Sequence, residues 1–245
     1  MSRRLLITAG DSRVGKSTTS RLLLDFFLQS QFIVRAYYNG QRNKLSSYSK
    51  FLPVGELQLT RGGADSLLVD LYSFDETEVV LTDLPGQHLP QFKTFVRETL
   101  FFEQLLPIGY RVTFVHPISH RQDCVEYLQE LLEFCGNEAD YLLVKNLHFG
   151  EYFKYYDSAD VQSFISQFKV AELCLNNLPI YAYQALEDCS LPYSETVSST
   201  DIDVIFRSMI FNWMEDFYEK ISNNSTVSRY LGLSADESVR EKLAF

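Results

Sequence analysis

The sequence predicts an α/β fold: a doubly wound, mostly parallel sheet with helices on both faces. Short apolar runs alternate along the chain with longer stretches of helical period, and a glycine-containing loop joins the first apolar run to the first helical stretch. The chain has 245 residues, and no linker rich in Pro, Gly or Ser divides it. We therefore expect one domain over 1–222 and a polar tail over 223–245, for which a docking helix is one interpretation.

The elements follow from hydrophobic period and from turn residues. The apolar runs predict strands over 4–9, 32–38, 78–86, 110–117, 140–146 and 171–176, with a short one near Leu57. Helical period predicts helices over 16–29, 64–72, 91–105, 122–134, 161–168 and 201–221. In the first helix, the residues Leu22, Leu23, Phe26 and Phe27 share one face, which we expect to be buried.

Charge and cysteine content narrow the class of protein. Lys and Arg number 22 against 32 Asp and Glu, a net charge of -10, so we expect binding to nucleic acid to be weak or absent. The four cysteines show no CxxC spacing, which is typical of the reduced thiols of a cytoplasmic protein. The apolar start is too short for a signal peptide, and no later run is long enough for a membrane span.

The strongest motif is GDSRVGKST, which extends from Gly10 to Thr18 and matches G-x-x-x-x-G-K-[ST] between a predicted strand and a predicted helix. Glycines let successive backbone N–H groups point inward at phosphate oxygens, and the start of a helix adds partial positive charge. Lys16 is expected to reach the β- and γ-phosphates, and the Ser17 hydroxyl to bind Mg²⁺. The motif predicts a nucleotide site.

A second motif, LTDLPG, ends a buried strand at the edge where open α/β sheets bind ligands. Asp83 is expected to hold the Mg²⁺ shell, and Gly86 to donate its N–H near the γ-phosphate. Gln87 follows directly and is a candidate for orienting a water molecule. The alternative is a turn in which Asp83 only caps backbone donors.

Together these motifs resemble the ParA/MinD family of P-loop ATPases, the branch with a deviant Walker A loop. The resemblance extends to the strand end LLVKN, where Asn146 corresponds to the family's adenine-contacting asparagine and Lys145 lies beside it; a turn-capping role for Asn146 is the alternative. It implies a P-loop NTPase fold, ATP/ADP and Mg²⁺ as cofactors, an ATP-dependent homodimer, and an unidentified adaptor or cargo protein. The residues expected to contact the nucleotide are Gly10, Asp11, Ser12, Arg13, Val14, Gly15, Lys16, Ser17, Thr18, Gly86, Lys145 and Asn146. The candidates for catalytic roles are Lys16, Asp83 and Gln87.

Two departures from the family pattern affect the expected mechanism. Asp11 stands where the family carries its signature lysine, which reaches the partner's nucleotide across the dimer; Arg13 and Lys145 are the alternative cations. The second strand of the family ends in a water-activating Asp, whereas RAYYNGQ offers Asn39 and no carboxylate. The resemblance therefore implies slow or partner-dependent hydrolysis. Plasmid- or mobile-element-associated members and carboxysome-positioning members remain equally open as relatives.

The resulting hypothesis is a switch ATPase that positions or segregates a cargo. A small-molecule kinase or ligase is one alternative, and a nucleotide-binding module that hydrolyses nothing is another. His116 and His120 are expected in a polar loop rather than at a metal. The segment after the second strand carries the basic cluster Arg42, Lys44 and Lys50, which is expected to be solvated, with contact to phosphate or to a partner as the alternative.

Overall fold

The computed structural model describes residues 3–39, 43–57, 65–73, 76–84 and 86–233. The strands of this part of the chain form one seven-stranded sheet in which every neighbouring pair is parallel, which confirms the predicted fold class. The strands are β1 (Arg3–Thr8), β2 (Val34–Tyr38), β3 (Val54–Glu56), β4 (Val79–Asp83), β5 (Tyr110–Ile118), β6 (Ala139–Asn146) and β7 (Val170–Leu175).

The strand order is β3-β2-β4-β1-β5-β6-β7. The chain starts in the middle of the sheet at β1, builds one half through β2, β3 and β4, and then crosses to build the other half from β5 outward. A crevice forms outside the carboxyl ends of the strands where the winding direction reverses. Here that point lies beside β1, so the segments after β1 and β4 meet there.

Helices cover both faces of the sheet. They are α1 (Lys16–Gln29), α2 (Asp65–Ser73), α3 (Leu89–Thr99), α4 (Phe101–Leu105), α5 (Gln122–Cys135), α6 (Ala159–Ile165), α7 (Ile180–Asp188), α8 (Tyr193–Thr196), α9 (Val204–Asn223) and α10 (Ser225–Tyr230). Residues of α1 and α7–α10 belong to one apolar cluster, and residues of α2–α6 to another. The two clusters lie on opposite faces of the sheet, because successive strand residues point to opposite sides.

The central strand, β1, is buried on both of its faces, which explains its continuous apolar sequence. Leu6 packs in the cluster with α1, whereas its neighbours Leu5 and Ile7 pack in the other cluster, and all three are buried. A parallel strand covered on both faces has no solvent side, so a continuous apolar run replaces the alternating pattern of a half-exposed strand. The run RLLITA therefore predicts β1 well.

The first helix has the bounds that its period predicts. Its expected apolar face is completely buried, with Leu22, Leu23, Phe26 and Phe27 all 0% exposed. Truncating a buried phenylalanine to alanine costs about 3–5 kcal/mol of stability. This burial fixes the start of α1, and thus the loop before it, rigidly against the sheet.

Several regions differ from expectation, and the helices α7 and α8 lie where no helix is predicted. The single helix expected over 91–105 is two helices, because Leu100 adopts a left-handed conformation (φ 51°) between α3 and α4. His116 lies within β5, as the strand predicted over 110–117 implies, and it is buried, so the polar-loop interpretation is wrong for this histidine. In the region expected to be a polar tail, Val227 and Tyr230 of α10 are buried against the cluster of α1 and α9. The rest of that tail, from 234 onward, lies outside the described residues.

Candidate phosphate-binding site

The loop between β1 and α1 is braced from the opposite half of the sheet. Gly15 directly precedes α1 with a φ of 97°, and a Cβ at this position would collide with the amide of Asn146. The Asn146 Nδ2 atom donates a hydrogen bond to the Val14 carbonyl at 3.0 Å. Glycine is therefore required both for the backbone conformation and for the close approach of the β6 end. The loop keeps its shape through contacts that the protein itself makes.

Lys16 is the first residue of α1, directly after this loop, and its side chain is largely buried. Its Nζ donates to the Asp11 carbonyl at 2.5 Å. Burial lowers the pKa of the ammonium, while the nearby Asp83 and Cys124 raise it. A cation that has lost much of its hydration interacts strongly with an anion placed beside it. Lys16 thus offers a partly desolvated positive charge to the cavity.

Asp83 ends β4 opposite the loop. It is 9% exposed, and its Oδ1 has no hydrogen-bond partner among the described residues. Burial raises the pKa of its carboxyl to about 6, although a hydrogen bond from the Ser17 side chain and the charges of Lys16 and Lys44 oppose the shift. A carboxylate beside a hydroxyl, with one oxygen unused, is the hard oxygen donor set that suits Mg²⁺. The residues present therefore fit a magnesium ion.

Gly86 lies directly against the phosphate loop. A Cβ on Gly86 would be 2.9 Å from both the N and the Cα atoms of Ser12, so no larger residue fits without moving backbone. Gln87, which follows with a φ of 64°, donates from Nε2 to Asp11 Oδ1 at 3.3 Å. The two predicted motifs are thus in direct contact, with Gln87 held by the loop.

Asp11 is paired with a cation from the segment between β5 and α5. The guanidinium of Arg121, just after β5, forms an ion pair with the Asp11 carboxylate and donates to the Ser12 carbonyl at 3.0 Å. The Asp11 side chain is 6% exposed, so the carboxylate of the pair is shielded from water. The negative charge that this residue brings to the loop is neutralised within the fold.

These groups face a cavity of about 410 Å³. The loop, the start of α1, the segment after β2 and the end of β4 with the turn after it contribute Ser12, Arg13, Gly15, Lys16, Ser17, Thr18, Asn39, Lys44, Asp83, Leu84 and Gly86 to its lining. The ends of β6 and β7, the segments after them, α7 and α9 contribute Asn146, His148, Phe149, Leu175, Asn176, Leu178, Tyr183 and Trp213. The volume lies in the range of small-molecule sites, and the division into a polar, cationic part and a part with apolar and aromatic side chains suits a ligand with phosphates at one end and a flat ring at the other.

Hydrogen bonds fix the side chains in the apolar and aromatic part of the cavity lining. Trp213 Nε1 donates to the Asn176 carbonyl at 2.7 Å, and the hydroxyls of Thr18 and Tyr183 are 3.0 Å apart. Asn146 lines the cavity and also caps the turn after β6, accepting from the His148 N–H at 3.2 Å. The structure thus shows the capping role that was one of the two interpretations of Asn146.

Lys145 is directed away from the loop. Its Nζ lies 3.2 Å from Asp157 and 3.1 Å from Glu172, and 4.7 Å from the centre of the Tyr156 ring. It is absent from the cavity lining, unlike the exposed Arg13. The sequence placed Lys145 beside the nucleotide because it precedes Asn146, but alternate residues of a strand point to opposite faces.

Several residues of the site carry no motif signal. Among them, Arg121 contacts the loop from the segment between β5 and α5, Lys44 lines the cavity from the segment after β2, and Tyr183 and Trp213 line its apolar and aromatic part. The helical spacing around Trp213 predicts core packing, and its 6% exposure agrees with this, yet its edge also reaches the cavity. Trp213 is far from the loop in the sequence, so only the folded structure shows that both border the same cavity.

Comparison with solved structures identifies the fold. The MinD cell division protein of Aquifex aeolicus matches with a TM-score of 0.52 and 10% identity, over 91% of this chain and 98% of that one. The chain has the fold of MinD. The MinC:MinD cell division complex of the same organism matches with a TM-score of 0.51 and 9% identity, over 91% of this chain and 97% of that one. No protein-family model and no curated protein matches the sequence.

The MinD fold confirms, at the level of architecture, the ParA/MinD resemblance drawn from the loop and from LTDLPG. Within the part of the chain that the structure describes, no helix combines the length and the apolar character needed to cross a membrane.

Proposed function

We propose that this protein is a nucleotide-dependent switch ATPase of the ParA/MinD kind, which binds ATP with Mg²⁺ and positions or segregates a cargo. One observation carries the proposal: Lys16, Ser17 and Asp83 face a single cavity, and Asp83 keeps one buried oxygen unused. Burying a carboxylate oxygen without a partner is costly unless a ligand uses it. The MinD fold supports the same assignment.

In this proposal the protein groups bind and orient the nucleotide. Lys16 exchanges the Asp11 carbonyl for phosphate oxygens, and the start of α1 adds its partial positive charge. Ser17 and Asp83 hold Mg²⁺, which supplies positive charge to neutralise the β- and γ-phosphates when it is bound. Gly86 brings its N–H toward the terminal phosphate from the other side of the cavity.

We assign the base to the part of the cavity lined by Leu175, Leu178, Tyr183 and Trp213. These side chains offer apolar and aromatic surface for a purine ring. No Asp or Glu lines this part among the described residues, so the carboxylate that would pair with the N1 and N2 donors of guanine is not found there. This favours ATP over GTP, and a competition titration with the two nucleotides measures the preference.

Hydrolysis is expected to be slow. Asp83 is the one acidic residue among the described residues that line the cavity, and Asn39 occupies the position after β2 with its Nδ2 buried and without a partner. An amide orients water but takes no proton from it. The same observation favours the second candidate function, a nucleotide-binding module without turnover. Phosphate release, measured for wild type and Asn39→Asp, separates the two: the switch ATPase turns over measurably, and the substitution accelerates it.

The proposed ATP-dependent dimer needs a cation at the mouth of the site. Arg13 is exposed, lines the cavity and has no ion-pair partner among the described residues. It is therefore our candidate for contacting the partner's nucleotide, since a guanidinium matches phosphate oxygens with two parallel hydrogen bonds. Light scattering with saturating ATP and Mg²⁺ tests this: we expect wild type to dimerise and Arg13→Ala to stay monomeric. ATP and ADP states would then differ in affinity for an adaptor or cargo protein.

The decisive experiment is a calorimetric titration with a non-hydrolysable ATP analogue. Lys16→Ala removes charge-assisted contacts to phosphate and should weaken binding by about 1.5–3 kcal/mol or more, which is about tenfold to more than a hundredfold. Lys50→Ala, which removes an equal charge from an exposed position outside the cavity lining, serves as the control. Equal affinities for wild type and Lys16→Ala would refute the proposed function.

A further inference from the structure

Lys44 lies in the cavity although nothing in the motifs assigns it there. It belongs to the segment between β2 and β3 and lines the same space as Lys16, Asp83 and Gly86. Its charge is close enough to Asp83 to lower the pKa of that carboxyl against the effect of burial. Lys50, on the same segment, does not line the cavity, and Arg42 lies outside the described residues. Lys44 is thus a cation that lines the same cavity as Lys16 and Asp83.

The contact that now holds Lys44 is weak and dispensable. Its Nζ lies 3.4 Å from Glu187 Oε2, and the lysine side chain is 45% exposed. An ion pair this long and this exposed contributes little to stability. Lys44 can therefore leave Glu187 at small cost.

Glu187 keeps partners when Lys44 leaves. Its Oε1 accepts from Arg21 Nη1 at 2.7 Å and from the Tyr193 hydroxyl at 2.9 Å. Arg21 is buried, with a side chain 5% exposed, and its guanidinium lies 4.0 Å from the centre of the Tyr193 ring. Arg21 and Tyr193 therefore fix the carboxylate in place without help from Lys44. Glu187 can therefore pair with Lys44 when the cavity is empty and release it when a ligand in the cavity binds the lysine instead.

We propose that Lys44 is a ligand for the terminal phosphate of a bound nucleoside triphosphate and that it exchanges Glu187 for this phosphate. The inference rests on the proposed function and deepens it. A terminal phosphate carries more negative charge than a carboxylate whose other oxygen is already paired with Arg21, so the exchange is favourable with a triphosphate and absent with a diphosphate. The ion pair between Lys44, in the segment after β2, and Glu187, in α7, is then present with a bound diphosphate and absent with a bound triphosphate.

Affinity for two nucleotides tests the proposal. Lys44→Gln should weaken binding of a non-hydrolysable ATP analogue with Mg²⁺ by about tenfold, and change ADP affinity less than about twofold. Lys50→Gln removes the same charge from the same segment and should change neither. Lys44→Arg keeps the charge and should retain most of the preference for the triphosphate. A loss shared equally by both nucleotides, or no loss at all, would overturn the assignment.

Two further results keep this inference separate from the proposed function. If wild type binds neither nucleotide, the proposed function fails and this inference fails with it; if wild type binds both and Lys44→Gln binds both equally well, only the role of Lys44 fails. Glu187→Gln still accepts a hydrogen bond from Arg21 but no longer attracts Lys44, so affinity for the ATP analogue should be unchanged or higher. A tenfold loss confined to the analogue would show that Glu187 positions Lys44, which contradicts the exchange.

Discussion

The carboxylate of Asp11 and the guanidinium of Arg121 form an ion pair beside the phosphate loop, between residues that are far apart in the sequence. An acidic residue in this loop would repel phosphate if it stood alone. Arg121 cancels its charge and also binds the Ser12 carbonyl, so the pair shapes the loop as well as neutralising it. The loop thus has an acidic residue where the ParA/MinD pattern has a lysine, together with a compensating arginine from the segment after β5.

The first prediction concerns this pair. Arg121→Ala leaves the Asp11 carboxylate buried and without its cation, and should destabilise the protein by about 1–3 kcal/mol. It should also weaken nucleotide binding, since an uncompensated negative charge then lies in the loop next to Ser12, which lines the cavity. Urea unfolding and calorimetric titration measure the two effects.

A double-mutant cycle separates the pair from its surroundings. Asp11→Asn together with Arg121→Ala removes both charges, so affinity should recover toward that of wild type, and the coupling energy should be about 0.5–3 kcal/mol. If the two substitutions add without coupling, the contact has no energetic role.

The second prediction concerns the metal. Asp83→Asn keeps the shape of the side chain but removes the charge that would bind Mg²⁺. We expect a folded protein whose affinity for the ATP analogue no longer rises when Mg²⁺ is added. Asp216→Asn, on the outer part of α9 beside Lys220, is the matched control and should retain the magnesium effect. Unchanged magnesium dependence in Asp83→Asn would leave Asp83 with a capping role alone.

The third prediction concerns the contact between the two motifs. Gly86→Ala forces a Cβ against the backbone of Ser12, which cannot move without shifting the loop. We expect nucleotide affinity to fall by about tenfold or more, because misplaced loop donors lose their charge-assisted hydrogen bonds to phosphate. Gly109→Ala is the comparison: its Cβ meets nothing within 4 Å, so only its φ of 73° is strained. It should cost about 1 kcal/mol of stability and leave nucleotide affinity unchanged.

The phosphate loop and the end of β4 could be predicted from the sequence, because each is identified by residues that are adjacent in the chain. The loop from Gly10 to Thr18 and the strand end at Asp83 carry spacing and residue types that physics restricts tightly. The bounds of α1 follow from its apolar face. The parallel order of the strands follows from their alternation with helices, and so does the placement of both motifs at one edge.

The remaining features depend on distances through space. Nothing near Arg121 in the sequence indicates that it pairs with Asp11, and nothing near Lys44 separates it from the solvated Lys50. The break at Leu100 comes from one residue in a left-handed conformation inside an otherwise helical pattern. Lys145 was misplaced because its side chain and that of Asn146 leave the strand on opposite sides. Each of these features depends on how the folded chain is arranged in space, and the neighbouring residues in the sequence do not indicate it.

The fourth prediction is a pH dependence of stability that originates at His116. Its Nε2–H donates to the Cys124 carbonyl at 3.2 Å, and its Nδ1 is buried without a partner among the described residues. Burial, reinforced by the charge of Lys16 and opposed by the Cys124 carbonyl, lowers the pKa of the imidazole from 6.5 to about 4. The folded state thus holds a neutral ring, which the unfolded chain protonates below about pH 6.5.

Because the folded pKa lies below the unfolded one, the contribution of His116 to stability is complete above about pH 6.5 and is lost as the pH falls toward 4. At pH 5 the loss should be about 2 kcal/mol. His116→Gln keeps a donor for the Cys124 carbonyl but does not titrate. Urea unfolding of both proteins at pH 7.5 and pH 5 isolates the effect, since every other titrating group is common to them. The free energy of unfolding of wild type should fall by about 2 kcal/mol more than that of the variant. Equal decreases would show that the ring remains neutral in both states or gains a proton in the fold without cost.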